Sequence, residues 1–172
     1  MIVGRFQPFH FGHLKLIAAA VLADDVERIK IGIGSAQFKN TKENPFSAEE
    51  RREMIENSLG KISKKYELFE IPDINDNEHW VSHVSEITGK FDFVYTNGEL
   101  EMRLFKKAGY EVRTTEFFQR KDYCGIEIRR RISEGEEWKH LVPDGTFNVL
   151  EKIKGDERIV KIFLREVKRF TC

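Results

Sequence analysis

At 172 residues the chain has the length of one domain able to bury a substantial core. Its 29 basic and 29 acidic residues cancel, which argues against bulk attraction to nucleic acid or an anionic lipid surface and makes any anion site local. No apolar run has the length of a membrane helix, the start lacks a signal-peptide layout, and Cys124 and Cys172 are too few for a disulfide framework, so a cytoplasmic protein is expected.

The first apolar run, MIVG, ends at Gly4 and predicts a short strand, and HLKLIAAAVLA then carries apolar residues at helical spacing. ERIKIGIG alternates Ile29, Ile31 and Ile33, the period of a strand. SAEERREMIENSL opens on Ser47 with Glu50 three residues on, the pattern of a capping box at a helix start. YELFEIP reads as a strand, EHWVSHVSEIT as a helix, FDFVYT as a strand, GELEMRLFKKAG as a helix stopped by Gly109, and YEVRTT as a strand. Helical patterns resume at Ile126 and, broken by LVPDG, run to the C-terminus. There VLEKIKGDERIVKIFLREVKRF predicts one or two amphipathic helices, with Phe163, Leu164 and Val167 among the apolar positions.

No repeat, low-complexity tract or linker interrupts this series, so residues 1–172 read as one domain. The alternation predicts an α/β fold: a Rossmann-like, doubly wound parallel sheet with helices on both faces and C-terminal helices added. Ligands of such sheets sit at the carboxyl ends of strands, where strand order reverses. GRFQPFHFGH follows the first strand and occupies that kind of position. Gly4 and Gly12 allow a sharp turn or a close approach to a ligand. His13 falls in the first turn of the helix, where free N–H groups favour an anion, and His10, three residues earlier, can face the same anion. A plain turn, or a metal pair without an evident third ligand, would also account for this spacing.

The string GRFQPFHFGH resembles the signature of the nucleotidyltransferase superfamily, two histidines separated by two residues after the first strand. With Arg5, Phe6, Gln7, Pro8 and Phe9 it is similar to archaeal nicotinamide-mononucleotide adenylyltransferases. The likeness continues through IGIGSAQ, ENPFSAEER, NEHWVSHV and DYCGIEIRRRI to WKHLVP, over residues 1–143. The resemblance implies transfer of AMP from ATP to nicotinamide mononucleotide, forming NAD and pyrophosphate, with Mg²⁺ bridging phosphate oxygens and few protein ligands to the metal. It implies a homo-oligomer, commonly a hexamer, with no nucleic-acid or membrane partner.

By the same resemblance His10, His13 and Arg129 would carry the catalysis. Gly4, Arg5, Phe6, Gln7, Gly12, Asn97, Gly98, Cys124, Gly125 and Ile126 would surround ATP. Arg51 would hold the mononucleotide phosphate, Asp73 and Asn77 would lie near the carboxamide, and Trp80 would stack on the nicotinamide ring. Read from the residues alone, Trp80 suits a core position and Arg51 a solvated helix face.

One departure stands out. The family's second signature is Ser-Gly-Thr, two further residues and then Arg, its hydroxyls and N–H groups receiving phosphates. Here CGIEIR puts Cys124 for the serine and Ile126 for the threonine, while Gly125 and Arg129 stand. A lost hydrogen bond to a charged group costs about 1.5–3 kcal/mol, but the main-chain donors remain. Arg130 or Arg131 is expected to compensate. A related transferase with a different acceptor, or a nucleotide-binding homologue without turnover, is the alternative reading.

Overall fold

A computed structural model describes residues 1–115 and 123–170 of the chain. Cys172, Asp122 of the DYCGIEIRRRI string and the side chain of Val167 lie outside the described residues. Among the described residues five strands, β1 (Ile2–Gly4), β2 (Arg28–Gly34), β3 (Lys65–Ile71), β4 (Phe93–Tyr95) and β5 (Glu111–Arg113), form a parallel sheet in the order β3-β2-β1-β4-β5. Among the described residues seven α-helices connect and flank them: α1 (Phe11–Leu22), α2 (Ala48–Leu59), α3 (Trp80–Thr88), α4 (Glu99–Lys107), α5 (Gly125–Glu134), α6 (Asp144–Lys152) and α7 (Gly155–Phe170). The expected doubly wound sheet is present, and its order reverses between β1 and β4.

The alternation in β2 explains the two layers. Ile29, Ile31 and Ile33 are at most 2% exposed and join Leu16 and Ile17 of α1, Met54 and Ile55 of α2, and Ile128 of α5 in one core. The opposite face is covered by α3 and α4, through Val81, Val84 and Phe105 packed with Ile71 and Val94. Gly32 lies on that second face, where a Cβ would come within 2.4 Å of Ile71.

Local signals fix the helix ends. Glu50 N–H donates to Ser47 Oγ and Ser47 N–H to the Glu50 carboxylate, the capping box read from the sequence. Gly109, with φ +86°, follows α4 as expected. The C-terminal segment is two helices, because the chain turns at Lys154 (φ +51°) before α7 begins. Both helices close the core: Leu150 and Ile159 are buried in it, and Val160 and Phe163 pack against it, while Leu164 is exposed. Arg158 of α7 donates to both carboxylate oxygens of Glu50, at 2.7 and 2.8 Å. Among the described residues no helix is long and apolar enough to cross a membrane.

Candidate nucleotide site at the sheet switch point

Where the strand order reverses, a cavity of about 350 Å³ opens between the carboxyl ends of β1 and β4. Gly4, Arg5, Phe6, Gln7, His10, Gly12 and His13 form one wall, and Thr96, Asn97, Gly98, Glu101 and Thr115 face them. The start of α5 supplies a third side through Cys124, Gly125, Ile126 and Arg129. All the residues expected around ATP therefore meet in one place. The sequence reading missed Thr96, Glu101 and Thr115, which no local pattern marks as belonging to a site.

The histidines are held by aromatic packing. Their rings stack with centroids 3.6 Å apart, and His13 also contacts the rings of Phe6 and Phe9. Phe6 itself is 1% exposed and adopts φ +52°, so its ring supports the site from below. The His10 main-chain N–H donates to His13 Nδ1 at 3.3 Å, which leaves the proton of a neutral His13 on Nε2. Burial pushes the His10 imidazole down to about 3, and burial with the neighbouring His10 holds His13 well below its ordinary value. Both rings are neutral at pH 7. His10 Nδ1 is buried without a hydrogen-bond partner. Gly12 makes room for this ring, since a Cβ there would lie 3.0 Å from it.

Arg129, 6% exposed, donates from Nη1 to the Gln7 main-chain oxygen at 2.7 Å, while its Nε is buried and unpartnered. Burial, with Arg5 nearby, lowers its pKa to about 10, so it remains a cation at neutral pH. Gly125 is required by the same approach, because a Cβ would come within 2.8 Å of the Gln7 oxygen. Gln7 ties this wall to the loop before α2: its amide donates to Phe46 O at 2.9 Å and accepts from Phe46 N–H at 3.0 Å. Its expected role toward ATP thus falls to its main chain, since the side chain is spent on that loop.

The expected compensation for the altered CGI stretch is corrected by the structure. Arg130 pairs with Glu127, Glu134 and Glu136, and Arg131 with Glu127, on the acidic face of α5 and away from the cavity. Ile126 is 68% exposed at the cavity rim and offers no donor from its side chain.

The residues expected on the acceptor side do not line this cavity. Arg51, 0% exposed, donates to the carbonyls of Ser47, Arg5, Gly34 and Ser35, so it braces the ends of β1 and β2. This burial excludes the solvated helix face that the residues alone suggested. Burial lowers its pKa to about 10, which leaves it charged. Trp80 opens α3 half-buried, its ring edge-on to Phe105 at 5.4 Å. Asn77 is exposed in the loop before α3, and Gln37 clamps the main chain of Asp73 through both of its amide atoms. Asn97 and Gly98 do reach the cavity. However, the Asn97 amide is paired with Thr115, and the Gly98 N–H is taken by Thr96 Oγ1.

Residues 1–131 match the model of the family described as cytidylyltransferase-like. The chain is 45% identical over 166 residues to a nicotinamide-nucleotide adenylyltransferase of Methanococcus aeolicus, covering 96% of this chain and 95% of that one. It is 46% identical over 159 residues to the protein of that name in Thermoplasma acidophilum, covering 92% and 88% of the two chains. Among solved structures, a bifunctional NMN adenylyltransferase/ADP ribose pyrophosphatase from Francisella tularensis, complexed with AMP and a Mn ion, shares the fold with TM-score 0.71 at 20% identity. That likeness covers 98% of this chain but 54% of the Francisella chain.

Proposed function

The chain belongs to the cytidylyltransferase-like family, and we propose on that footing that it transfers the adenylyl group of ATP to nicotinamide mononucleotide, forming NAD and pyrophosphate. The observation that carries this reading is a pair of buried, unpartnered polar atoms in the switch-point cavity, His10 Nδ1 and Arg129 Nε. A buried polar group without a partner costs about 1–3 kcal/mol, a penalty that a bound phosphate relieves. Relatives named for this activity, 41–46% identical over most of the chain, support the same substrates.

In the reaction an oxygen of the mononucleotide phosphate attacks the α-phosphorus of ATP. The bond from that phosphorus to the bridging oxygen breaks, and pyrophosphate leaves with the electron pair. The nucleophile is already ionised, so the protein supplies position and charge rather than a base. His10 and His13, as neutral donors, and Arg129, as a cation, would hold the triphosphate, with Arg5 free at the surface to close on it. The main-chain N–H groups at the start of α5 would receive the phosphates that Cys124 and Ile126 no longer reach through hydroxyls. The donors facing the cavity are cations and N–H groups, which suit phosphate oxygens. Mg²⁺ therefore fits as an ion carried on the nucleotide, where it screens phosphate charge. Arg51 would act on the mononucleotide phosphate through the one N–H its four carbonyls leave over. Asp73, Asn77 and Trp80 would receive the nicotinamide end outside the main cavity. We place this enzyme in the cytoplasm, as one domain over residues 1–172 and as a homo-oligomer of the hexameric kind.

The test is to incubate the purified protein with ATP, nicotinamide mononucleotide and Mg²⁺ and to measure NAD and pyrophosphate. Equal amounts of the two are expected. Mononucleotide binding without product at saturating ATP would overturn the reading in favour of a binding protein. Turnover of another phosphorylated acceptor alone would overturn it in favour of a related transferase.

A further inference from the structure

Glu101 is the one acidic side chain among the described residues that line the switch-point cavity. The remaining titratable groups there include Arg5, Lys15, His10, His13 and Arg129, a surface suited to phosphates. A carboxylate cannot donate to phosphate oxygens when ionised, and it repels them. It must therefore face a different part of the ligand.

Its surroundings narrow the choice. Glu101 stands in the first turn of α4, half-buried, and no hydrogen-bond or ion-pair partner takes its oxygens among the described residues. Its neighbours on the same wall are already engaged: Thr96 Oγ1 accepts the Gly98 N–H, and the Asn97 amide is paired with both Thr115 N–H and Thr115 Oγ1. Glu101 offers a ligand two acceptor oxygens on one carbon. They lie folded over the Gly98 Cα, where an added Cβ would come within 2.0 Å of Oε2. A fork of two acceptors matches two neighbouring hydroxyl donors, the vicinal 2′- and 3′-hydroxyls of a ribose.

We propose that Glu101 is a specificity-determining residue that accepts hydrogen bonds from the ribose diol of the nucleoside triphosphate, and so selects ribonucleotides over 2′-deoxyribonucleotides. The assignment rests on the adenylyl-transfer reading of this cavity and names which end of it the nucleoside occupies. With the triphosphate at His10, His13 and Arg129, the sugar lies toward the start of α4. A helix-start acid that merely favours the α4 dipole would not need to enter the cavity, and would treat all nucleotides alike.

The experiment measures steady-state NAD formation and calorimetric binding for ATP and 2′-deoxy-ATP, with wild-type, Glu101→Ala and Gly98→Ala proteins. Wild-type NAD synthesis from ATP tests the parent reading separately, and binding by calorimetry does not require turnover. For wild-type, 2′-deoxy-ATP is expected to bind about tenfold or more weaker than ATP, as for loss of a hydrogen bond to a charged group. Glu101→Ala should weaken ATP by a similar factor while leaving 2′-deoxy-ATP within about twofold, so discrimination collapses. Gly98→Ala keeps the carboxylate but displaces it, and its backbone (φ −78°) accepts alanine. It should lose discrimination as well while remaining folded. Equal weakening of both nucleotides by Glu101→Ala, or a wild-type protein that does not distinguish them, would overturn the proposal.

Discussion

At the scale of single residues, the site is built from groups kept in an uncomfortable state. His10 and His13 are stacked, buried and neutral, although the unfolded chain would protonate both below about pH 6.5. Their folded pKa values lie lower, so the unfolded state binds more protons as the pH falls, and stability must fall with it. Between pH 6.5 and 5, above most carboxylate titration, each neutral imidazole contributes a slope approaching about 1.4 kcal/mol per pH unit. Urea unfolding of His10→Gln across that window should give a shallower slope than wild-type; an unchanged slope would mean that His10 is protonated in the fold. The altered motif makes a second prediction at this scale. Restoring hydroxyls with Cys124→Ser and Ile126→Thr should lower the KM for ATP by roughly tenfold, one recovered hydrogen bond to phosphate. A raised KM would place both positions away from the triphosphate.

At the scale of elements, the decisive joint is between α5 and the loop that follows β1. Gly125 lets the start of α5 approach the Gln7 oxygen that Arg129 holds. Gly125→Ala should lower Tm, because its Cβ would lie 2.8 Å from the Gln7 main-chain oxygen and one of the two main chains must give way. It should also lower kcat, by up to about a hundredfold, because the phosphate donors shift from line. Melting and turnover measured on the same preparation would separate the two effects. This joint also marks the limit of what the sequence discloses. Strand β2, the Ser47 cap and the glycine after α4 follow from local rules, because period, caps and turns are local chemistry. The cluster of His10, His13 and Arg129 was reached through resemblance, since spacing alone cannot bring residues 116 positions apart together. Arg51 misled for the same reason: a charge-dense helix reads as solvated, and only the packed strand ends reveal four carbonyls around one guanidinium. The partners of Arg130 follow helical spacing toward Glu127 and Glu134, a signal present in the sequence that the expectation of a phosphate role passed over.

At the scale of the whole molecule, the C-terminal helices hold the acceptor-side helix in place. Glu50 caps α2 and accepts both arms of Arg158 from α7, joining parts of the chain 108 residues apart. Burial draws its pKa upward, but the hydrogen bonds from Arg158 and Ser47 outweigh this and leave it below the ordinary 4.5. Its contribution is therefore present above that value and lost as the pH falls through the lowered one. Glu50→Gln should reduce stability at pH 7 by about 1.5–3 kcal/mol. The difference from wild-type should narrow as the pH falls below 4.5, as denaturation midpoints along that series would record. A constant difference would assign the effect to packing instead.

The burial of Arg129 also governs how the protein responds to ionic strength. Its cation, 6% exposed, is held against the Gln7 main chain in the cavity wall, whereas the Arg5 side chain is exposed. Mobile ions shorten the reach of an exposed charge to about 3 Å at 1 M salt but act far less on a buried one. Titrations of ATP in rising KCl should therefore show affinity falling and then levelling, and Arg5→Ala should flatten the early fall. The level that remains measures the attraction that the folded interior keeps for itself.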